Sequence, residues 1–339
     1  MTVTSKALYS DPDRYLAMLL SAGGQATLTR AGAFKADLVR VRLDALEVLR
    51  SYTSAAHVAR ARALARVHFI FMPRPGSGHI WAGQSLRDGD LINPVPGQDF
   101  VVSVGDEAEW GCLSLEPTNL TRLSTALMGR DLGLSHAVRR FETGGSRAFA
   151  RLQSAFNNVQ HLTPATSTPA TLHHWNDLLL RSLFDCLANS DLREDRTAIR
   201  RHALIMQRLH AVLDSFPDEP LELTDVCLAV GTTLRTLHIC CQEFLGMGPA
   251  RYLRLRRMHL ARRALLDSES SRVSVTEIAL RYGFWELGRF ARYYRQMFGE
   301  TPSATLHRDA ERHDRFDVHL AAAGFTVPAR SLVGSRTVP

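Results

Sequence analysis

The chain has 339 residues, 45% of them hydrophobic, with 41 Lys+Arg against 34 Asp+Glu and a formal charge of +7. Such a chain can bury a large core and hold two or more domains. Five scattered cysteines exclude a disulfide framework and point to a reducing, cytoplasmic setting, and no apolar run reaches membrane-spanning length. The basic balance favours nucleic acid or an acidic surface. Because Lys6 and Lys35 are the only lysines, the arginine bias can reflect codon usage, and charge alone decides nothing.

In chain order, residues 1–32 read as a polar, weakly helical lead-in. Residues 33–116 carry short β-rich runs, ADLVRVRL, ALEVLRSY, VHFIFM, HIWAG, DFVVSV and WGCLSL. Between them lie PRPGSG, RDGD, NPVPGQD and VGDEAE, which are turn chemistry. Short strands at this spacing predict an all-β barrel or sandwich. Residues 117–214 turn helical: LTRLSTALMGRDLGL, HAVRRF, RAFARLQSAFNNVQHL, LHHWNDLLLRSLFDCLA and RTAIRRHALIMQRLHAVLDSF place apolar residues every three or four positions. PDEP, from Pro217 to Pro220, marks entry to a further domain over 215–308. Residues 309–339 lack periodicity and read as a flexible tail.

Two helix-turn-helix signals stand in 215–308. One runs from Leu223 to Gly246, the other from Val275 to Gly299. Each has a short helix, a glycine at the turn (Gly231, Gly283) and a longer helix ending at another glycine (Gly246, Gly299). The first helix braces the second, which enters the major groove, and the turn needs positive φ. Small Ala229 and Ala279 precede the turns. Leu237 and Phe244, then Phe290, Tyr294 and Phe298, fall at core-facing spacing, and Ser274 with Glu277 fits a capping box. Between the units, an Arg-rich helix opens near Pro249 with Tyr252, Leu255, Met258, Ala261 and Leu265 on one stripe. As a rigid strut it would let two recognition helices meet major-groove faces about 34 Å apart.

The segments GMGPARYLRLRRMHLARRALL, IALRYGF and FARYYRQMFGETPS resemble the AraC/XylS family of transcription regulators over about Arg201 to Arg308. RTLHICCQEFLG and YGFWELGRFARYYRQMFGETPSATL resemble the subgroup that includes the ethanolamine-operon regulator. FMPRPGSGHIWAG and LRDGDLINPVPGQDF resemble, more loosely, hairpins of that family's cupin-like domain. The resemblance implies an α+β protein: an N-terminal cupin-like β-barrel over 33–116 that senses a small molecule or mediates association, a helical dimerisation layer over 117–214, and a C-terminal all-α tandem helix-turn-helix domain. Promoter DNA, RNA polymerase, a small-molecule effector and a second copy of the chain are the partners it implies, with no membrane. By subgroup alone, ethanolamine with a cobalamin cofactor is conceivable as effector.

By alignment to the family, the exposed face of the first recognition helix holds Thr233, Arg235, His238, Ile239 and Gln242. The second holds Trp285, Glu286, Leu287, Gly288, Arg289 and Arg292, with Arg295 a further phosphate contact. Arginine reads guanine, glutamine can read adenine, and isoleucine can touch a thymine methyl. Three positions depart from the family: Ile239 often stands as Arg there, Cys241 as Phe and Gly288 as Ser. Glu286 would repel phosphate unless it accepts from cytosine or pairs with Arg289. Arg254, Arg256, Arg257, Arg262 and Arg263 circle the strut and cannot all face DNA, so most are solvent-facing or structural.

Against an enzyme, residues 33–116 show no convergent acid/base or metal constellation. His68 and His79 lack the HxH spacing, followed by Glu, of a metal cupin. His238, Cys240 and Cys241 lie in one helix and point to different faces, which rules out zinc-like ligation, and His173-His174 is an ordinary helix surface. No phosphate-binding loop or nucleophile elbow is present, so no catalytic residue, metal or cofactor is expected. The alternative within the regulator class is a ligand-independent regulator whose N-terminal domain binds another protein. A filled barrel without a polar-lined cavity would mark it.

Overall fold

The computed structural model describes residues 4–19, 24–62, 65–73, 79–133, 138–163, 166–194, 197–216, 219–267 and 273–307. The expected flexible tail and the start of PDEP lie outside them. The N-terminal half is built on two sheets. Its strands are β1 (Thr4–Tyr9), β2 (Gly24–Leu28), β3 (Ala36–Arg42), β4 (Leu46–Thr53), β5 (His57–Arg62), β6 (Val67–Phe71), β7 (Ile80–Trp81), β8 (Gln84–Ser85), β9 (Asp90–Asn93), β10 (Asp99–Val104), β11 (Ala108–Leu115), β12 (Arg139–Glu142) and β13 (Asp191–Glu194). The larger sheet runs β1-β3-β4-β11-β6-β9-β12-β13, and the smaller β2-β5-β10-β7-β8. The expected barrel is two facing sheets rather than one closed sheet.

Period-two alternation sorts the larger sheet's side chains. Val48, Phe69, Phe71, Leu113 and Leu115 point to one face. They pack under α2 (Pro117–Met128), α3 (Arg147–Val159) and α4 (Pro169–Ala188), which contribute Leu120, Leu152, Phe156, Leu179 and Leu183. Leu38, Leu49, Ile70 and Cys112 point to the other face, toward Ala59, Trp81, Val102 and Val104 of the smaller sheet. Ser146 and Thr168 start α3 and α4 by accepting from the backbone N–H of Phe149 and Thr171.

Two expectations change here. The stretch read as a polar lead-in forms β1, α1 (Pro12–Leu19) and β2. Asp11 caps α1 by accepting from the N–H groups of Asp13 and Arg14, and Tyr15 and Leu16 are buried, so a few well-placed apolar residues outweigh a polar composition. HAVRRF, read as helical, supplies strand β12, which pairs with β9 and β13. Sheet pairing wins because it buries Phe141 and lets Arg140 reach Asp90 at 2.8 Å.

The C-terminal half is helical: α5 (Thr197–Ser215), α6 (Leu223–Val230), α7 (Leu234–Leu245), α8 (Pro249–Asp267), α9 (Val275–Arg281), α10 (Leu287–Phe298) and α11 (Pro302–Leu306). It docks on the outer face of the smaller sheet. Val58 and Val101 share one buried cluster with Leu209 of α5, Leu237 and Phe244 of α7 and Tyr252 of α8. The Ser103 hydroxyl donates to the Leu245 carbonyl at 3.3 Å. Arg263 forks onto Asp13 at 2.6 and 2.7 Å, and Arg60 meets Asp214 at 2.6 Å.

The Leu28 N–H donates to Nε2 of buried His259 at 2.9 Å. That bond needs the neutral ring. Burial first, then Arg263 and Arg262, pushes the His259 pKa down to about 3. Burial, then Arg60 and Arg256, does the same to His210, also to about 3. An unfolded histidine titrates near ~6.5. Below that pH the unfolded chain binds protons that the folded chain refuses, so the stability these residues contribute is complete above ~6.5 and lost as pH falls toward 3. Each histidine should therefore cost about 2 kcal/mol between pH 7.5 and pH 5.0. Urea denaturation at the two pH values checks this: His259→Gln should shrink the loss by about 2 kcal/mol, and an unchanged loss would rule His259 out as a source.

Candidate nucleic-acid interface and ligand cavity

Both expected turns are formed. Gly231 and Gly283 sit at φ of 72° and 76°, and a Cβ on Gly283 would lie 2.5 Å from Pro220 Cβ. That glycine is thus required by backbone conformation and by close approach. The Ser274–Glu277 capping box opens α9 with both of its hydrogen bonds. Leu237, Cys241 and Phe244 are buried on α7, and Phe290, Tyr294 and Phe298 on α10.

The opposite faces are open. Thr233, Arg235, His238, Ile239, Gln242, Trp285, Glu286, Arg289, Arg292 and Arg295 are all at least partly exposed, His238 and Arg295 among them. Trp285, at 72% exposure, and Ile239 stand out as large apolar side chains in solvent. The Thr233 hydroxyl caps α7 by accepting from the Thr236 N–H, so its first role is to start the recognition helix. Glu286 pairs with Arg289 at 3.0 Å, which offsets its repulsion of phosphate. Among the described residues no carboxylate pairs with Arg235, Arg292 or Arg295.

The strut arginines are mostly structural. Arg256 is buried and donates to the Leu213 carbonyl at 2.8 Å. Arg262 lies 4.6 Å over the Phe298 ring, Arg257 lies over Phe284 and Arg254 over Tyr293. Cys241, where the resemblance leads one to expect Phe, is fully buried. Phe244 instead crosses the domain boundary to the β7–β8 turn, where a Cβ on Gly83 would lie 2.6 Å from its ring. Helical spacing assigns Phe244 a core role only, and it leaves Asp13, Leu28, His259 and Arg263 unmarked as contacts between the halves. No local pattern signals such contacts.

A cavity of about 570 Å³ lies between the two sheets. Its apolar wall includes Tyr15, Ile70, Trp81, Phe100, Val102 and Trp110, and Trp81 stacks on Phe100 with ring centroids 4.7 Å apart. His57, His68 and His79 also line it. Burial is the largest cause lowering all three pKa values, to about 4 for His68 and His79, so all are neutral. The charged lining groups include Arg40, Arg42 and Arg66. Arg40 and Arg42 lie near Glu47, at 3.5 and 3.6 Å, and Arg66 pairs with Glu116.

A tandem helix-turn-helix domain is thus joined to a pair of sheets that enclose a cavity. Comparison with known proteins agrees. Residues 23–184 match the AraC-binding-like domain, and residues 226–308 match a helix-turn-helix domain. Over these two segments the chain is similar to AraC-type regulators. It is 36% identical over 145 residues to the probable thc operon regulatory protein of Rhodococcus erythropolis, 43% of this chain and 42% of that one. It is 45% identical over 74 residues to XylDLEGF operon transcriptional activator 1 of Pseudomonas putida, 22% of each chain. It is 32% identical over 178 residues to the activator RhaS of Klebsiella pneumoniae, 50% of this chain and 61% of that one. These alignments thus span 61% or less of each relative's length. Among solved structures, the AraC-like transcriptional activator CuxR aligns at 17% identity and a TM-score of 0.41, over 76% of this chain and 95% of that one. No described helix is long and apolar enough to cross a membrane.

Two glycines of the second unit differ in tolerance. Gly283→Ala should destabilise the chain by about 1–3 kcal/mol, because it adds a Cβ at positive φ against Pro220. A Cβ at Gly288 would meet nothing within 4 Å, so Gly288→Ser should stay within about 0.5 kcal/mol of wild type. Chemical denaturation of both variants reads the difference, and equal stabilities would contradict the turn assignment.

Proposed function

We propose that the protein is an effector-responsive transcriptional activator, acting in the cytoplasm as a homodimer that binds promoter DNA on repeated half-sites and contacts RNA polymerase. The observation that carries the DNA reading is the two-faced character of α7 and α10. Their buried faces hold Leu237, Phe244, Phe290 and Tyr294, and their open faces expose Arg235, His238, Ile239, Gln242, Arg289, Arg292 and Arg295. In this reading Arg235 and Gln242 read base edges, His238 and Ile239 add contacts beside them, and Arg289, Arg292 and Arg295 anchor the backbone.

The cavity favours an effector over a purely protein-binding sensor half, because its volume and mixed lining fit a small molecule. Occupation would bias the placement of the DNA-reading units and so the competent population. Exposed Leu127 on α2 and Leu178 on α4 support association through the helical layer. We infer that the likeness to the ethanolamine-regulator subgroup is a kinship of the DNA-reading half and does not specify the effector.

Selection of bound genomic fragments with the full-length protein first supplies an operator, and binding to that operator and to unrelated DNA, across a salt series, then tests the assignment. Arg235→Ala should cost about 1–3 kcal/mol on the operator alone. Arg292→Ala should weaken both DNAs alike and reduce the salt slope by about one. Wild-type binding by both variants would overturn the assignment.

A further inference from the structure

The cavity's lining constrains what it can hold, and this inference rests on the effector reading above. His79 and Trp81 are two residues apart on one run of extended chain, so both side chains face the cavity. Ile80, between them, points the other way, toward Gly246 at the end of α7. His79 is 4% exposed and Trp81 6%.

The Gly105 N–H donates to His79 Nδ1 at 3.3 Å. A ring nitrogen that accepts carries no proton, so the proton of this neutral imidazole is on Nε2. Nε2–H is therefore a donor, and it is buried without a partner. The indole Nε1–H of Trp81 is likewise buried without a partner. Arg40 Nε and Arg66 Nε also lack a hydrogen bond, although both guanidinium groups lie near carboxylates. Among the neutral groups, Trp110 Nε1–H donates to the Tyr15 hydroxyl at 3.2 Å, and that hydroxyl is 2.7 Å from the Ser51 hydroxyl. His57 donates from Nδ1 to the Ala55 carbonyl at 2.9 Å. Two neutral donors with no acceptor cost free energy unless a bound molecule supplies one.

We propose that the cavity takes an uncharged, flat, largely apolar molecule of two or three fused rings carrying one carbonyl-type acceptor, with that acceptor held by His79 Nε2–H and Trp81 Nε1–H. The ring system lies against the stacked Trp81–Phe100 pair, where offset aromatic contact adds to burial. An uncharged ligand follows from the electrostatics. The lining holds three arginines, Arg40, Arg42 and Arg66, and three carboxylates, Asp44, Glu47 and Glu116, so its charges balance, and the donors at His79 and Trp81 are neutral. A carboxylate placed against them would be buried without a counter-charge, which is costly.

Isothermal titration of the full-length protein with 2-acetylnaphthalene, 2-ethylnaphthalene and 2-naphthoate tests the class, since the three share one ring system and nearly one size. The ketone should bind at least about tenfold more tightly than either of the others. Trp81→Phe keeps a ring and removes the donor, and His79→Leu removes the other. Each should cut the preference for the ketone over the hydrocarbon about three- to tenfold, read as the ratio of the two affinities in the same variant. Equal binding of ketone and hydrocarbon would overturn the role of the two donors, tightest binding of the naphthoate would overturn the uncharged class, and binding of none would overturn the fused-ring class. Operator binding by the same preparations separates these failures from failure of the regulator reading: intact operator binding leaves that reading standing.

Discussion

The structure depends on the strict alternation of side chains along the smaller sheet. Along β10, Phe100, Val102 and Val104 line the cavity, while Val101 joins the helical cluster and Ser103 bonds to the end of α7. Along β5, His57 and Ala59 face in, while Val58 and Arg60 face the helical half. The ladder holds the strands in phase, pairing Val102 with Ala59 and Ser103 with Val58. A slip of one residue would put cavity residues into the helical core and helical contacts into the cavity. Both faces are committed, so cavity and recognition helix are separated by the thickness of one sheet.

This arrangement makes the two DNA-reading units unequal. The first shares a buried cluster with the sheet, through Val58 and Val101. The second is held mainly by its own cluster of Met258, Ile278, Phe290, Tyr294 and Phe298, with the Gly32 N–H to Met297 carbonyl bond as a lesser tie to the sensor half. The strut α8 belongs to both, because Tyr252 and Leu255 fall in the first cluster and Met258, Ala261 and Leu265 in the second. Its arginines serve this bridging. Arg263 grips Asp13 of the sensor half, and Arg262 covers Phe298 of the second unit. A change in the sheet therefore reaches the first unit directly and the second through the strut.

The helical half was legible because helix-turn-helix geometry is local. A glycine at positive φ and apolar residues at three- and four-residue spacing lie within one short window, and Gly231, Gly283 and the α8 stripe stand where the pattern puts them. Of the two small residues before the turns, Ala279 is buried, whereas Ala229 is exposed and Cys227 takes the buried place. The residues on the exposed faces of α7 and α10 were expected from the family resemblance. The sensor half was harder. HAVRRF carries a helical pattern, and its strand identity comes from β9 and β13, both distant in sequence. The polar run before Ala33 gains its structure from Tyr15 and from pairing of β1 with β3. The cavity donors were illegible for the same reason: nothing near His79 in sequence says that the Gly105 N–H will occupy one of its nitrogens.

The segment from His79 to Ser85 joins these threads. Its inner side chains face the cavity, and its turn, at Ala82 and Gly83, has positive φ at both positions, 48° and 80°. That is the twist a two-residue hairpin requires, and the non-glycine residue in it costs of order 1 kcal/mol, held by surrounding contacts. One such contact is the Ala82 N–H to the Val101 carbonyl at 3.0 Å. Another is Phe244 of α7, packed so tightly over Gly83 that a methyl group there would overlap its ring. A hairpin this short cannot shift its inner side chains without shifting its tip. Trp81 and Phe244 flank one two-residue turn, and Phe244 lies on the buried side of the helix whose open side carries Arg235, Ile239 and Gln242. The hairpin that lines the cavity thus meets α7 through an aromatic ring against a glycine, beside the Ile80–Gly246 and Ser103–Leu245 contacts.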